Sequence, residues 1–541
     1  MRRVPALLAG LIAGLVGASV LALLMLAGRT WLGISPLPEA VPDRIAPMLD
    51  VDDFIKMLAD YGGYDQLKQF GIKAGIGAVV GAGALAGLAL GFVDNTRRAR
   101  AQDKVLGLSR DAVTLLAGLA LVVTSALAVA LWPVLDANFN GVAPTWARPI
   151  SLGALFVEFV VMALVVGAVY RFLTPHVQLR DAGEAPSRGT VDPPAALSTR
   201  RAVVAVMAGA AVSLPSVALG SRLYDDATFD YDGTVRSGAD LTPVTPNARY
   251  YVVTKNVVDP DVNRDGWRLE IAGRVNEATD YTYDELVALG PTEQETTVMC
   301  ISNKISAGLM SNAVWTGVPM ATLLQRAGVK DDAVEVLISA ADGYTDTFSI
   351  EKALDPTTMV VFQMNGEEIP RIHGYPVRVI VPGLFGEKQV KWVTRIEVID
   401  HDGKGFYETQ GWGPRFEVPT RSDFFSPRVG SAGGGFRFNK ELKAGQDVTL
   451  KGRAYGGDRG ISKVEVSLDN GASWKPATID YPSKENITWA FWSSVWRPAA
   501  GEYTLVVRAY DGTGAPQETE RRASYPREGS TGLHVVKATV A

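Results

Sequence analysis

Cys300 is the only cysteine among 541 residues, so its sulfur has no partner for a disulfide within the chain. The apolar pattern predicts a short strand over residues 296–299, followed by a polar, glycine-containing loop over residues 301–311. A thiol where a strand exits into a loop is well placed to act as a metal ligand or a nucleophile. The alternative is a small hydrophobic residue packed in a core.

Four residues downstream carry groups that bind metals or anions when a fold gathers them. They are Asp342, His373, Arg378 and Lys391. Each also has an ordinary alternative when it is considered singly. Asp342 belongs to an Asp-Gly turn signal, His373 fits a hydrogen-bonded structural histidine, and Arg378 and Lys391 fit surface charges. Their chemistry therefore depends on the elements that position them.

Composition argues against one class of partner and divides the chain in two. The formal net charge is −5, so no global basic field favours nucleic acid. Nearly all long apolar runs lie before residue 222, and five of them reach the roughly 20 residues that span a bilayer. The first is interpreted as a retained helix rather than a signal peptide, because it is long and other spans follow. The predicted spans cover residues 4–28, 74–93, 112–135, 150–170 and 202–221.

Basic residues in the connecting segments predict how these spans are oriented. Two arginines precede the first span, five basic residues lie from Arg97 to Arg110, and five arginines lie from Arg171 to Arg201. These segments are predicted to be cytoplasmic, which places everything after residue 221 outside the membrane. Arg200 and Arg201 also match a twin-arginine export signal, and both interpretations stay open.

Two features within the spans carry further expectations. Glu158 is ionisable and lies in the fourth span, which makes it either a functional residue or a carboxyl bonded to a neighbouring helix. All four histidines lie outside the spans, so electrons are expected to pass through a partner or a lipid-soluble carrier rather than a membrane haem. Small residues four apart favour close helix packing in the second span, at Gly77, Gly81, Gly83, Gly87 and Gly91.

The region after the spans has three predicted parts. Residues 222–248 are polar and contain proline, which is typical of a linker. Residues 249–418 predict an α+β domain, in which residues 315–319 are interpreted as a turn. Residues 419–541 predict a β-sandwich, with a hairpin signal at residues 469–471. The α+β elements are predicted strands at 250–254, 267–271, 334–339, 359–363, 377–381 and 391–399, and predicted helices at 284–289 and 319–327.

Several motifs follow one another in a fixed order from about residue 249. Cys300 begins a Cys-x-x-Asn motif, and the others are Trp315-Thr316-Gly317-Val318-Pro319, Met364-Asn365-Gly366, His373-Gly374-Tyr375-Pro376-Val377-Arg378, Val381-Pro382-Gly383 and Val390-Lys391-Trp392. In this order they resemble the sulfite oxidase family of molybdenum enzymes. The final part, with Gly456-Gly457-Asp458 and Arg508-Ala509-Tyr510-Asp511, resembles that family's immunoglobulin-like dimerisation domain.

The resemblance implies a molybdenum–molybdopterin cofactor whose metal is bound by the Cys300 thiolate. A soft thiolate suits molybdenum beside the two sulfurs of a pterin dithiolene, and the cofactor's phosphate calls for cationic donors. Cys300 is thus the implied metal ligand and a catalytic residue. The residues implied to bind the cofactor are Lys255, Asn256, Asn303, Asp342, His373, Arg378, Gln389, Val390 and Lys391.

Two positions depart from the family's pattern where substrate is chosen. The family's Asn-Arg-Arg is Asn303-Lys304-Ile305 here, which leaves a point charge in place of a bidentate arginine. The family's active-site tyrosine aligns with Asp346, although Tyr344 lies close to it in sequence. A carboxylate there would repel a dianion such as sulfite. Lys304 and Asp346 are therefore predicted at the catalytic site, and they leave the substrate open.

The sequence predicts a five-span helical membrane region, a sulfite-oxidase-like α+β molybdopterin domain and a C-terminal immunoglobulin-like β-sandwich. The predicted function is oxygen-atom transfer on a small molecule outside a bacterial cytoplasmic membrane, with a redox partner or quinone and a homodimer. No Cys-x-x-Cys-His occurs, so no haem is expected in the chain. Two alternatives stay open: a quinol-linked reductase of sulfoxide-type substrates, and a non-enzymatic membrane receptor or assembly protein with an immunoglobulin-like tip.

Overall fold

A computed structural model describes residues 4–97, 104–105, 108–174, 199–233, 241–432, 435–438, 442–522 and 528–541. The chain divides into two compact units. The first comprises Met1–Ala46, Met57–Asn140 and Pro144–Ala227, and the second comprises Pro47–Lys56, Gly141–Ala143 and Thr228–Ala541. Some residues that entered the sequence-based predictions lie outside the described ranges: the paired N-terminal arginines, Arg98, Arg100, His176, Arg180 and Arg188.

The first unit is built from long apolar helices with a short strand pair, β1 (Lys104–Val105) and β2 (Leu108–Ser109). Five helices in the described part of the chain are long and apolar enough to cross a membrane, as the sequence predicts. The observed helices are α1 (Val4–Ala27), α2 (Leu37–Ile45), α3 (Val51–Tyr61, which the unit boundary divides), α4 (Tyr64–Arg97), α5 (Arg110–Ala130), α6 (Pro144–Leu173) and α7 (Thr199–Asp225).

Helix α1 contacts α4, α6 and α7, and its glycines let α4 approach it closely. A Cβ atom on Gly10 would lie 2.1 Å from the carbonyl oxygen of Gly87, and one on Gly14 would lie 2.1 Å from that of Gly83. Gly81 instead has no atom within 4 Å of its Cβ position among the described residues. The predicted small-residue packing is therefore present at Gly83, Gly87 and Gly91, and not at Gly77 and Gly81.

Gly87→Leu should separate α1 from α4, because a side chain at residue 87 would overlap the backbone of Gly10 and Gly14. We expect a loss of about 1–3 kcal/mol of stability, the usual cost of overpacking. Gly81→Leu is the matched control and should leave stability nearly unchanged. Thermal unfolding of the two variants in the same detergent measures the difference, and equal midpoints would contradict this packing.

The part of the second unit up to residue 420 consists of two five-stranded sheets and three short helices. One sheet has the order β10-β9-β6-β5 with β11 on β9, and the other has the order β4-β3-β12-β7-β8. The helices are α8 (Tyr283–Val287), α9 (Met320–Ala327) and α10 (Ile350–Leu354). The strands are β3 (Arg268–Gly273), β4 (Thr279–Thr282), β5 (Thr292–Met299), β6 (Met310–Pro319), β7 (Glu335–Ala340), β8 (Thr345–Ser349), β9 (Met359–Met364), β10 (Glu367–Glu368), β11 (Arg378–Ile380) and β12 (Val393–Ile399).

Three local predictions differ from this structure. Residues 315–319 are the end of β6 rather than a turn, and Gly317 lies at a register shift where its Cβ would be 2.3 Å from the carbonyl oxygen of Val360. Residues 250–254 form no strand. The described parts of the predicted linker are bonded to the unit, because Thr228 donates to the carbonyl of Val257 and Thr245 to that of Asn312.

The remaining strands form two sheets that share one apolar core. The four-stranded sheet contributes Leu450 and Trp492 to this core, and the six-stranded sheet contributes Val464 and Val536. Their orders are β13-β16-β20-β19 and β14-β15-β22-β21-β17-β18. The strands are β13 (Arg421–Ser426), β14 (Val429–Ala432), β15 (Gly435–Phe438), β16 (Val448–Tyr455), β17 (Ile461–Ser467), β18 (Lys475–Pro476), β19 (Thr478–Tyr481), β20 (Ala490–Trp496), β21 (Gly501–Asp511) and β22 (His534–Val540).

Candidate functional site

Cys300 begins the loop that joins β5 to β6. Met299 pairs with Met310 at the end of the antiparallel ladder, and the Cys300 amide donates to the Leu309 carbonyl at 3.0 Å. Asn303 closes the loop: its amide donates to the Cys300 carbonyl at 3.0 Å, and its side-chain oxygen accepts from the Leu309 amide at 3.0 Å. The predicted strand-to-loop setting of the thiol is therefore present.

The thiol of Cys300 is buried and lies near acidic side chains. The residue is 8% exposed, and the Ser302 hydroxyl lies 3.1 Å from its sulfur. Burial, and secondarily the charge of Glu387, raises the pKa of Cys300 to about 11, although the Ser302 hydrogen bonds oppose this shift. The free thiol is therefore protonated at neutral pH. A bound metal cation would reverse this preference, because coordination deprotonates a thiol.

Arg378 is a buried cation without a carboxylate partner among the described residues. It is 5% exposed, and it donates to the carbonyls of His373 at 2.8 Å and Gln389 at 3.0 Å. Its Nε atom is buried and has no hydrogen-bond partner in the described part of the chain. Burial lowers the pKa of Arg378, which reports the cost of keeping this charge away from water. An anionic ligand would offset that cost.

Lys391 and His373 stand beside Arg378. The partly buried Lys391 ammonium donates to the Ile372 carbonyl at 3.1 Å, and burial lowers its pKa while Asp259 opposes the shift. The His373 ring has Nε2 at 2.9 Å from the Asn247 carbonyl oxygen. Burial lowers the pKa of His373 to about 3, so its imidazole is neutral at pH 7.

Tyr251 links the Cys300 side of this region to the Arg378 side. Both residues are electrostatic neighbours of its phenol, whose pKa burial raises well above the usual value. The segment after Phe385 also approaches closely: a Cβ on Gly386 would lie 2.6 Å from the Tyr251 hydroxyl and 3.5 Å from the Cys300 Cα atom. The fold therefore places Cys300, the predicted metal ligand, and Arg378, a predicted anion-binding residue, around Tyr251.

Asp342, Lys255 and Asn256 are also brought together. Lys255 donates to the carbonyl of Asp342 at 2.9 Å, and the Asn256 side chain donates to its carboxylate at 2.9 Å. Asp342 acts electrostatically on Lys391, so this trio adjoins the cationic residues. The structure therefore brings these three residues together, and their role in binding the cofactor remains a prediction.

Gln389 and Val390 occupy positions that leave their side chains little room for a ligand. The Gln389 amide group accepts from the Val381 amide at 2.7 Å and donates to the carbonyls of Val381 at 2.5 Å and Leu384 at 3.0 Å. Val390 is buried in the apolar core of the α+β part. Gln389 nevertheless contacts another predicted cofactor-binding residue, because its carbonyl accepts a hydrogen bond from Arg378.

Lys304 and Asp346 lie in contrasting surroundings. The Lys304 side chain is exposed, whereas Asp346 is 1% exposed and pairs with Lys388 at 2.7 Å. The Tyr344 hydroxyl also donates to the Asp346 carboxylate at 2.7 Å. Burial raises the pKa of Asp346 to about 6, although Lys388 opposes the shift. The neighbouring cation offsets the repulsion of a dianion that the sequence alone predicts, and the catalytic assignment of both residues remains a prediction.

Sequence reasoning missed several groups around the thiol. Both carboxylate oxygens of Glu387 are buried without a hydrogen-bond partner in the described residues, and burial raises its pKa to about 8. Tyr407 is an electrostatic neighbour of Cys300 and packs against Tyr344 with ring centroids 5.8 Å apart. The segment Glu387-Lys388 directly precedes predicted ligands, so its charges offered a signal. Nothing in the pattern distinguished Tyr407.

The donors fit the cofactor that the resemblance implies. A soft sulfur ligand, one buried guanidinium and one ammonium match a thiolate-bound metal with an anionic pterin phosphate. The unpaired Nδ2 of Asn303 and Nε of Arg378 supply further buried donors, as judged within the described ranges. Such groups cost stability unless a ligand satisfies them.

Comparisons with known proteins agree with this arrangement. Residues 256–407 match the oxidoreductase molybdopterin binding domain, and residues 437–523 match the Mo-co oxidoreductase dimerisation domain. The mitochondrial sulfite oxidase of Drosophila melanogaster is 30% identical over 49% of this chain and 54% of its own length. The NADH nitrate reductase 2 of Phaseolus vulgaris is 29% identical over 50% of this chain and 36% of its own length.

One solved structure, the sulfane dehydrogenase SoxCD from Paracoccus pantotrophus, covers 56% of this chain and 85% of its own, with 23% identity and a TM-score of 0.49. The chain spans about half the length of the sulfite oxidase that it matches, and less of the nitrate reductase.

Fold, site and domain matches together define a molybdopterin-dependent oxidoreductase. The two domain matches and the similarity to a sulfite oxidase and a nitrate reductase support a molybdopterin oxidoreductase of the sulfite oxidase type. This confirms the predicted family, and the molybdopterin-binding domain supports a molybdenum–molybdopterin cofactor. These matches to enzyme domains speak against the non-enzymatic alternative.

Proposed function

We propose that this protein is a membrane-anchored molybdenum enzyme that transfers an oxygen atom to or from a small molecule outside the cytoplasm. The observation that carries the proposal is the gathering of Cys300 and Arg378 around Tyr251. A buried guanidinium without a carboxylate partner among the described residues is costly in a bare protein. A metal–pterin cofactor gives both Cys300 and Arg378 a role.

In this proposal Cys300 binds the metal, and Arg378, Lys391 and His373 bind the pterin and its phosphate. Asn256 and Asp342 orient Lys255 beside them through the bonds described above. When it is bound, molybdenum supplies a two-electron couple between Mo(VI) and Mo(IV) for oxygen-atom transfer. The buried Tyr251 and the partly buried Tyr407 limit the access of water to the sulfur, because both are electrostatic neighbours of Cys300.

A membrane location is supported by the three separate chain segments that make up the second unit. Residues 47–56 follow the first candidate span, residues 141–143 follow the third, and residues 228–541 follow the fifth. Five crossings would place all three segments on one side. Val51 in addition belongs to the same apolar cluster as Met299 and Ile301, which flank Cys300. Basic residues then favour the cytoplasm for the amino terminus and the outside for the site.

Exposed tryptophans support the same arrangement. Trp31 follows α1, Trp132 follows α5 and Trp146 lies in the first turn of α6, with 68%, 50% and 70% of their surface exposed. By connectivity, these three helix ends would face the same side. Tryptophans at this level are typical of a membrane interface. The residue boundaries of the membrane region, of the α+β domain and of the C-terminal domain remain those predicted from the sequence.

The C-terminal part is proposed to be an immunoglobulin-like sandwich that dimerises. Two facing sheets with a shared core support the sandwich, and the match of residues 437–523 to a dimerisation domain supports a homodimer. Sedimentation equilibrium of the full chain in density-matched detergent tests the oligomeric state. A monomer at micromolar concentration would contradict this part of the proposal.

The test of the proposed function is metal and pterin analysis of the purified full-length protein, followed by assays in both directions. We expect one molybdenum and one pterin per chain, and turnover with an artificial electron carrier. Wild-type protein that was produced in a molybdenum-competent host and still lacked both would overturn the proposal.

A specific observation favours reduction of sulfoxide-type substrates as the second candidate. The two acidic side chains that act on Cys300 are Glu387 and Asp232, and burial keeps Glu387 largely protonated at neutral pH by raising its pKa to about 8. An uncharged sulfoxide tolerates such surroundings better than sulfite does. The reaction would take two electrons and two protons and yield a sulfide and water. Anaerobic assays with reduced dye and a sulfoxide panel, beside oxidation of sulfite, separate the two candidates.

Glu158 offers a test of electron entry through the membrane. It is 7% exposed in α6, and its carboxylate lies 3.8 Å from the Cβ position of Gly28. If it serves proton or quinone chemistry, Glu158→Gln should slow quinol- or membrane-coupled turnover about 100-fold or more, the lower end of the range for loss of a proton-transfer group. Dye-linked activity should stay unchanged. An equal loss in both assays would instead indicate a folding role.

A further inference from the structure

The loop that carries Cys300 is held by residues from the C-terminal sheets. Arg421 lies at the start of β13 and Arg453 lies in β16, so both belong to the four-stranded sheet. Ser530 precedes β22 of the other sheet. All three side chains hydrogen-bond to backbone carbonyls between residues 303 and 307. The loop is therefore fixed from the side of the C-terminal part.

The contacts of Arg421 surround the base of the loop. One guanidinium nitrogen donates to the Asn303 carbonyl at 3.2 Å and lies 3.2 Å from the Met299 sulfur. The other terminal nitrogen donates to the Lys304 carbonyl at 3.0 Å. The Ser530 hydroxyl donates to the same Asn303 carbonyl at 3.0 Å. Two side chains that are distant in sequence thus converge on one peptide group three residues after Cys300.

Arg453 holds the far side of the loop. It donates to the Ala307 carbonyl at 2.5 Å and pairs with Asp423, whose carboxylate lies 3.1 Å from its Nε atom. Arg453 is 2% exposed and Arg421 is 6% exposed. Within the described residues, Asp423 is the carboxylate that pairs with Arg453, and Arg421 has none at ion-pair distance. Two buried guanidinium groups are therefore accompanied by one paired carboxylate among the described residues, that of Asp423.

Burying these two arginines has a desolvation cost that stabilisation of the fold alone does not explain. Burying a charge costs several kcal/mol unless it is paired, and apolar residues of similar volume often replace buried charges without loss. Burial lowers the pKa of Arg421 to about 10, although Asp423 opposes the shift. The guanidinium groups supply directional hydrogen bonds. A planar fork of N–H donors fixes carbonyl oxygens in a way that an apolar side chain cannot.

We propose that Arg421 and Arg453 are positioning residues for the Cys300 sulfur. The backbone of Cys300 is bonded at both ends within this loop, to Leu309 and to Asn303. Fixing the carbonyls of residues 303, 304 and 307 therefore fixes the direction in which the Cys300 side chain leaves the backbone. The C-terminal part then contributes to the site itself. The link to a metal rests on the proposed function, whereas the link to the sulfur does not.

The first experiment uses full-length, cofactor-free protein and a thiol-alkylating reagent. Cys300 is the only cysteine, so every labelled chain reports this position. Arg421→Met and Arg453→Met should each raise the alkylation rate at least tenfold, because the loop opens more often. Arg421→Lys, which retains donors, should fall between Arg421→Met and wild type. Arg437→Met is the matched control, since Arg437 is exposed in β15 and bonds only to Thr539 among the described residues.

The second experiment uses the holoenzyme and a spectroscopic readout. Arg421→Met should alter the Mo(V) electron paramagnetic resonance signal at unchanged molybdenum content, and Arg421→Lys should restore much of the wild-type signal. A merely structural role would lower the content and leave the signal of the loaded fraction alone. An Arg421→Met protein that matched Arg437→Met in both labelling rate and signal would overturn the proposal. Failure of wild type to hold molybdenum would overturn the proposed function and leave the labelling test intact.

Discussion

Cys300→Ser is expected to lower oxygen-atom transfer by ~10³-fold or more, the scale of losing a group on which the chemistry depends. A hydroxyl is a harder and far less acidic donor than a thiol, and it does not replace a thiolate beside a dithiolene. The expected loss therefore comes from the metal's coordination rather than from the fold. The Cys300 side chain is small and its nearest polar neighbour is the Ser302 hydroxyl at 3.1 Å, which gives the introduced hydroxyl a partner.

The measurement compares dye-linked activity, molybdenum content, pterin content and thermal midpoint for wild type, Cys300→Ser and Cys300→Ala. We expect midpoints of the cofactor-free proteins within a few degrees of one another, corresponding to about 1 kcal/mol. Pterin should be retained better than molybdenum, because Arg378, Lys391 and His373 are unchanged. Activity of Cys300→Ser within tenfold of wild type, at equal metal content, would show that the sulfur is not the ligand.

The site illustrates what a sequence can predict and where it stops. Cys300, His373, Arg378 and Lys391 were predictable because their spacing follows a family order, and Asp342 belongs to the same order. The loop around Cys300 was predicted in outline from the strand before it. Its anchors were not, because Arg421 and Arg453 lie more than a hundred positions away and look like ordinary strand residues.

Mispredictions in the fold have local causes. The Gly-Val-Pro sequence at residues 317–319 has turn chemistry, yet β6 continues through it because Gly317 lies against the backbone of Val360 in β9. Tyr250 and Tyr251 have strand propensity, but they pack as aromatic residues around Trp315 and Arg378 instead. The repulsion of a dianion that Asp346 predicts took no account of its partner Lys388, which lies 42 positions away in sequence. Tertiary pairing decided each of these cases.

Arg378→Met is expected to abolish cofactor retention and yet leave the cofactor-free protein as stable as wild type, or more stable. In the bare protein, the Arg378 charge is buried without a carboxylate partner among the described residues and its Nε atom is unsatisfied there. Methionine removes that desolvation cost. It also removes the donors for the His373 and Gln389 carbonyls, at about 1 kcal/mol each. These effects oppose one another, so the free energy of unfolding should be unchanged or should rise by up to about 3 kcal/mol.

The amount of bound cofactor should fall in Arg378→Met, whereas the stability of the cofactor-free protein should not. An anionic pterin phosphate gains a charge-assisted bond from the guanidinium, and losing a charged partner in a dry site costs about 2–5 kcal/mol. We therefore expect cofactor affinity to fall at least about thirtyfold, which corresponds to 2 kcal/mol. The assays are pterin and molybdenum content after dialysis, together with thermal unfolding of cofactor-free protein with and without inorganic phosphate. Phosphate should stabilise wild type and have a smaller effect on the variant.

Arg395→Met is the control, because Arg395 in β12 already has acid partners. Its guanidinium lies 3.1 Å from Glu397 and 3.7 Å from Glu270. Removing it should lower stability modestly and leave loading unchanged, the reverse of the pattern at Arg378. If Arg378→Met instead destabilised the cofactor-free protein strongly and kept its pterin, the guanidinium would be a structural tie. If Arg378→Met and Arg395→Met change stability in opposite directions, the desolvation cost of burying Arg378 is offset only when the anion binds.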